Sequence, residues 1–192
     1  MEKEVWRGGN MLNPLPAVLV TCGTFEKPED AARCNVLTVA WTGTACSDPP
    51  MTYVSVRPER RSHAMIRDTG EFVINLVDRK LVRACDLCGV LSGRDGSKFE
   101  KAGITPVKAS KVAAPILDES PVSLECKVTQ VLSLGTHDMF LGEVVAVDVA
   151  KELLDEKGRF RLEAADLITY LHGQYFSLGE ELGRFGFSVK KN

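Results

Sequence analysis

Apolar residues fall in short blocks cut by turn formers. Leu15, Ala17, Val18, Leu19, Val20 and Thr21 predict a first strand, with Pro14 and Pro16 where a strand start or edge tolerates a missing donor. Gly23 and the charged run from Glu26 to Asp30 end it. Val36 to Trp41 predicts a second strand leading to Gly43 and Thr44, and Asp48-Pro49-Pro50 makes a stiff turn before Met51, Tyr53, Val54 and Val56. A short helix is predicted from Pro58 to about Asp68, stopped by Gly70, and then a strand through Phe72, Val73, Ile74 and Leu76. Between Lys80 and Leu91 the pattern changes: Leu81, Ala84, Leu87, Cys88 and Leu91 recur at helical spacing, and Ser92 to Gly96 breaks the helix.

Two longer strands are predicted at Ser123–Leu132 and Phe140–Val149. In the second, Leu141, Glu143, Val145, Val147 and Val149 alternate with Val144 and Ala146, so both faces are mostly apolar and coverage on both sides is expected, from outer helices or a second subunit. The remainder holds an exposed turn near Asp155 to Gly158, a short strand or helix around Leu167 to Leu171, and a Gly-rich aromatic tail. At least six strands with two or three short helices, not in regular alternation, predict a mainly β fold and exclude a doubly wound sheet. A closed antiparallel barrel is favoured because closure removes exposed edges, with a sandwich as the alternative.

Composition narrows the class. With 192 residues, 44% of them hydrophobic, the chain is read as a single domain over 1–192. Its 24 Lys plus Arg against 26 Asp plus Glu offer no broad reason to expect a nucleic-acid or membrane partner, so any phosphate site must be local. The N-terminus MEKEVWRGGN carries glutamates where a signal peptide would be basic, and no apolar stretch approaches the roughly 20 residues of a membrane span. A cytoplasmic location is expected, in which the six cysteines are read as buried thiols.

Standard nucleotide loops and hydrolase or metalloprotease motifs are absent from the sequence, and His63, His137 and His172 are too scattered to suggest a His-rich metal centre. Cys85-x-x-Cys88 has the spacing of a redox pair or half a metal site, but a second close pair is lacking and the structural reading is preferred. The segment Ser55-Val56-Arg57-Pro58-Glu59-Arg60-Arg61-Ser62-His63 ends a strand in a cationic loop before a helix. Guanidinium groups, a hydroxyl and helix amides there can hold a phosphate; a solvated charge run is the alternative. Asn35 to Thr44 combines small and hydroxyl residues with one large aromatic, a composition that suits a flat ligand or plain core packing.

NVLTVAWTGTACSDPP followed by SVRPERRSHAMIRDTGEFVINL, together covering positions 35 to 76, resembles the flavin reductase-like family, close to its flavoredoxin branch. The similarity continues through Ser92-Gly93-Arg94-Asp95 with Lys98-Phe99, Leu124-Glu125-Cys126, the segment His137 to Val144, and the tail Leu178 to Phe187. The resemblance implies an antiparallel split β-barrel of Greek-key type with a few short flanking helices. It also implies a homodimer with FMN near the subunit interface. Carried over by position, Asn35, Thr38, Ala40, Trp41 and Thr42 would lie beside the isoalloxazine ring. Ser55, Arg57, Ser62 and His63 would lie around the ribityl chain and phosphate, with Arg57 the foremost phosphate ligand and Asn75 and Lys98 as further contacts. His137 and His172 are candidates for catalytic groups near flavin or nicotinamide, with structural hydrogen-bond roles as the alternative; no metal is implied. The activity implied is hydride transfer from NADH or NADPH to FMN with onward transfer to an acceptor. Its rivals are an FMN electron carrier reduced by a redox protein partner, and a flavin or haem binding module without turnover.

Overall fold

The computed structural model describes residues 1–189. Its strands and helices run β1 (Leu15–Pro16), β2 (Val18–Cys22), β3 (Asn35–Val39), β4 (Thr42–Ser47), β5 (Pro50–Val56), α1 (Arg61–Thr69), β6 (Glu71–Leu76), α2 (Val82–Val90) and α3 (Lys98–Ala102). They continue with β7 (Pro106–Val107), β8 (Ile116–Leu117), β9 (Val122–Ser133), β10 (Asp138–Val149), β11 (Ile168–Leu171) and β12 (Gln174–Ser177). Seven of the strands form one antiparallel sheet in the order β3-β2-β6-β9-β10-β5-β4, curled into a split half-barrel.

β2 shows why the strands read as solid apolar blocks. Val18, Val20 and Cys22 point into the barrel core with Val54, Phe72 and Phe140, while Leu19 joins a second core with Leu81, Cys85, Cys88 and Phe99 beneath α2 and α3. Both faces of β2 are dry, so no polar alternation remains. β9 and β10 curl the sheet through register shifts at Leu141/Gly142 and Val144/Ala146. A Cβ on Gly142 would lie 3.0 Å from the Phe72 ring, so the glycine lets that ring fill the interior.

Some sequence expectations change. The helix expected from Pro58 begins at Arg61, and its stop is as predicted: Gly70 is left-handed (φ 68°) and its N–H donates to the Ile66 carbonyl at 2.8 Å. The apolar run to Trp41 ends sooner, because the chain turns at Ala40–Trp41 so that β3 pairs with β2 while β4 pairs with β5. These two strands are the sheet's edges, so the closed ring expected from turn counting is a barrel split beside Trp41. The segment around Leu167–Leu171 is strand β11, which forms a small sheet with β1 and β12.

Among the described residues, β10 is not covered by helices on its outer face. The segment 109–116 packs there through Ala109, Val112 and Ala114 against Val73, with Val145 alongside. Buried Glu125 anchors this segment by accepting from the Ser110 amide and hydroxyl and from the Lys111 and Val112 amides at 2.6–3.0 Å. Burial works against the Glu125 charge, but these bonds more than offset it and hold its carboxyl below the usual range. Neighbouring Asp148 lacks such donors. Burial and the Glu125 carboxylate push it up to about 6, and its Oδ2 has no hydrogen-bond partner. Val131 and Val147 stay 43% and 53% exposed. Among the described residues no helix is long and apolar enough to cross a membrane.

Candidate functional site

The split in the barrel is where a cleft opens. On one side β3 ends and the chain turns through Ala40 and Trp41, whose carbonyl accepts from the Ser55 amide at 2.9 Å. That bond ties the edge turn to the end of β5, bringing Thr38, Ala40, Trp41, Ser55 and Arg57 into one wall of a cavity of about 390 Å³. His137, at the tight β9–β10 turn, completes this wall, its ring centroid 4.4 Å from that of the Trp41 indole. Burial, with the Arg57 cation beside it, holds the His137 imidazole below its ordinary range, so the ring facing the cavity is neutral near pH 7.

The opposite wall comes from far along the chain. Asp86 and Gly89 of α2 and the cross-strand pair Tyr170 and Tyr175 of the β11–β12 hairpin line it. The two tyrosine rings pack edge to face at 5.5 Å, and the Tyr175 hydroxyl donates to Asp86 at 3.4 Å. Thr38 fixes α2 over β3 by donating to the Cys85 carbonyl.

A second cavity, of about 530 Å³, adjoins the first; Leu37, Arg57, Arg60 and Val90 line both. Its deep part is built by Asn35, Ser62 and Lys98, all buried. Asn35 donates from its amide to the Ser62 hydroxyl at 2.8 Å, linking β3 to the first turn of α1. Lys98 is only 4% exposed, and its ammonium donates at 2.7 Å to the carbonyl of Cys88 in the last turn of α2, where the helix dipole favours a cation. Among the described residues no carboxylate pairs with it. Desolvation lowers its pKa, the cost of a buried charge that lacks an anion.

Arg61 holds the pocket's shape by donating to the carbonyls of Gly93 and Ala32. Gly93 must be a glycine, since a Cβ there would overlap the Asn35 amide. Arg94 reaches across to the Glu59 carbonyl at 3.1 Å, tying the loop before α3 to the loop before α1. The arrangement suits a ligand with a flat ring at one end and an anionic group at the other.

Not every residue singled out from the sequence lines this cleft. Thr42 donates to the Tyr53 carbonyl at 2.6 Å within the β4–β5 pair. His63 points away, its Nε2 2.7 Å from Asp138 and its ring edge-on to Phe140. Asn75 is spent in the core: its amide donates to the Leu19 carbonyl and the Thr21 hydroxyl, and its oxygen accepts from the Leu117 amide and the Ser123 hydroxyl. His172 sits exposed in the left-handed turn of the β11–β12 hairpin. Thr42, His63 and Asn75 brace the surroundings of the cleft rather than line it, and His172 is not among its lining residues. Conversely, Asp86, Tyr170 and Tyr175 had no signal in the sequence, because only the folded hairpin brings them to α2.

All six cysteines are free thiols. Cys85 and Cys88 are fully buried on the inner face of α2, and burial pushes them to about 12 and about 11, the reverse of a reactive pair. Among the described residues no group of three or more His, Cys, Asp or Glu could hold a metal ion.

Comparison with known proteins agrees with this geometry. The family model described as flavin reductase like domain matches residues 11–179. Flavoredoxin of Desulfovibrio vulgaris (Miyazaki F) superposes with a TM-score of 0.87 at 29% identity, covering 98% of this chain and 100% of that one. An FMN-binding protein from Thermus thermophilus, solved with bound 1-cyclohex-2-enone, superposes with a TM-score of 0.75 at 25% identity over 96% of this chain and 99% of its own. A ferric-chelate reductase (NAD(P)H) of Archaeoglobus fulgidus is 28% identical over 107 residues, 55% of this chain and 62% of that protein. With a split barrel, a two-part cleft at the split and a family match over most of its length, the chain belongs to the flavin reductase-like family of flavin oxidoreductases.

Proposed function

We propose that this protein is an FMN-dependent oxidoreductase that accepts hydride from NADH or NADPH and passes the electrons to an acceptor. The observation that carries this reading is the continuity of the two cavities. A ring-sized pocket walled by Trp41, His137 and two tyrosines runs into a cationic pocket whose deepest group, Lys98, is a buried ammonium without a carboxylate. An FMN phosphate supplies the missing anion.

In this reading Lys98, Ser62 and Asn35 hold the phosphate, the first by charge and the others by hydrogen bonds. Arg57, shared by both cavities, reaches the chain between phosphate and ring, and Thr38, Ala40 and Trp41 lie along the ring. Bound FMN supplies the electron acceptor, so no protein nucleophile is needed. Neutral His137 offers a hydrogen-bonding ring nitrogen without adding positive charge. Tyr170 and Tyr175 narrow the second side and exclude water.

The same reading makes the protein a cytoplasmic homodimer. Apolar Val131 and Val147 on the sheet and Leu178, Leu182 and Phe185 in the tail are exposed on the single chain, and six free thiols suit a reducing compartment. Light scattering tests the stoichiometry. The central experiment is anaerobic titration of the FMN-loaded chain with NADH and with NADPH, read by bleaching of the flavin band. Stoichiometric bleaching is expected. Failure to bind saturating FMN would overturn the reading, whereas tight binding without reduction by either donor would identify an electron carrier reduced by a redox protein.

A further inference from the structure

One pair of side chains outside the cleft reaches both of its ends. Ser62 lies at the cationic end, its hydroxyl accepting from the Asn35 amide at 2.8 Å, and His137 lies at the ring end, its centroid 4.4 Å from that of Trp41. Each has a chain neighbour that faces the other way, because successive residues of a strand point to opposite faces and those of a helix are turned by about 100°. The two neighbours are His63 and Asp138, and they meet: the His63 Nε2 lies 2.7 Å from the Asp138 Oδ2.

His63 is 7% exposed, its amide donates to the Arg60 carbonyl at 3.0 Å in the first turn of α1, and its ring stands edge-on to buried Phe140 with centroids 5.1 Å apart. Asp138 is the first residue of β10, opposite Val56 of β5 and Ser133 of β9. The bond to His63, with the Ser133 hydroxyl second, holds its carboxyl below the usual range. Among the described residues this is the polar bond that joins α1 to β10. Apolar side chains of similar volume would pack the helix on the barrel as firmly, so what the pair adds is direction. One donor and one acceptor fix the distance and rotation of α1 against the β9–β10 turn, and with them the spacing between Ser62 and His137.

We propose that His63 and Asp138 are positioning residues, whose bond holds the anion-binding and ring-binding ends of the cleft in register for a single FMN. This rests on the reading of the cleft as the FMN site.

The test uses the full chain carrying Trp6→Phe, which leaves Trp41 as the one tryptophan; Trp6 is 79% exposed and lies outside the cleft. In that parent His63→Phe keeps a flat ring and deletes the bond, His63→Gln restores an N–H of similar reach, and Asp138→Ala and the His63→Phe/Asp138→Ala double variant complete a cycle. The readouts are Trp41 emission without ligand, Kd for FMN by flavin fluorescence quenching, and the visible circular dichroism of the bound flavin. His63→Phe and Asp138→Ala should each shift Trp41 emission, alter the flavin dichroism and raise Kd about tenfold, or about 1.4 kcal/mol. His63→Gln should keep the parent's spectra and Kd, and the double variant should match the weaker single, each within about twofold. If Asp138→Ala does not fold, His63→Phe against His63→Gln decides alone. The proposal is overturned if folded His63→Phe melts earlier with emission, dichroism and Kd unchanged, which is the signature of a merely structural pair, or if His63→Gln is as impaired as His63→Phe. Absence of FMN binding by the parent would remove the FMN reading instead; the ligand-free Trp41 emission then reads the bond's hold on the ring wall by itself, and an unchanged emission in His63→Phe overturns that too.

Discussion

Lys98→Met separates the two jobs of a buried cation. Lys98 is 4% exposed; the substitution keeps an unbranched, apolar stem and deletes the ammonium, which lies 2.7 Å from the Cys88 carbonyl. A charge-assisted hydrogen bond to phosphate contributes about 1.5–3 kcal/mol, so Kd for FMN should rise about ten- to a hundredfold. The ligand-free fold feels two opposing changes. Losing the bond to the end of α2 costs about 1–3 kcal/mol, and removing a charge that burial disfavours returns a similar amount, so the net change stays near zero. The pH sign follows from the lowered Lys98 pKa. In the folded state the charged form carries a penalty, fully present at low and neutral pH and relieved as pH rises from the folded value toward the ordinary lysine value. Any stability gain of the variant is therefore largest near neutrality and fades in alkali.

The assay is thermal unfolding with and without FMN, together with direct titration. Wild-type protein at a hundredfold excess over Kd gains about 2.7 kcal/mol from the ligand. At the same FMN concentration the variant should lose about half of that gain or more while its ligand-free midpoint hardly moves. Unchanged FMN affinity in a folded variant would show that the phosphate does not sit at Lys98. A collapse of ligand-free stability would show instead that Lys98 is there to clamp α2.

Arg57→Ala should weaken FMN by about 1.5–3 kcal/mol, with a loss more salt-sensitive than that of Lys98 because Arg57 is exposed, and should raise the His137 pKa by removing one of its two depressing influences; NMR titration reads the imidazole. Asp148→Asn should stabilise the protein above about pH 6. A carboxyl raised to about 6 makes the folded state lose stability as pH rises from the ordinary aspartate range through that value, and with partial exposure allowed for the gain is about 1 kcal/mol in urea unfolding at pH 7.5, vanishing near pH 4. Gly93→Ala should disturb the Asn35–Ser62 bond and weaken FMN without loss of fold, seen as a raised Kd with an unchanged circular dichroism spectrum. Cys85→Ala and Cys88→Ala should leave flavin reduction intact and cost about 1–2 kcal/mol of stability as small cavities, because both thiols are buried and hard to ionise; loss of reduction in a folded variant would give the pair a redox role.

Local chemistry made much of this legible in the chain itself. Short apolar blocks between Gly and Pro turns specify strands, the spacing of Leu81, Ala84 and Cys88 specifies α2, and Gly70 specifies where α1 stops. These signals depend on residues a few positions apart, and so does the cationic loop from Arg57 to Arg61. The resemblance around positions 35 to 76 supplied the family and pointed to a flavin. What the sequence could not decide is which polar groups would be spent inside the protein. Asn75, Thr42 and His63 look as available in the sequence as Asn35, Ser62 and Lys98. Folding pairs the first three with Leu117, Tyr53 and Asp138, and leaves Lys98 without an anion at the base of the cleft. Tyr170 and Tyr175 reach the same cleft only through a hairpin formed beyond β10. The physical reason is range. Periodicity and turn chemistry act through neighbours along the chain, whereas a binding site is decided by desolvation and hydrogen-bond satisfaction among residues that only the curled, split sheet and the elements packed on it bring together.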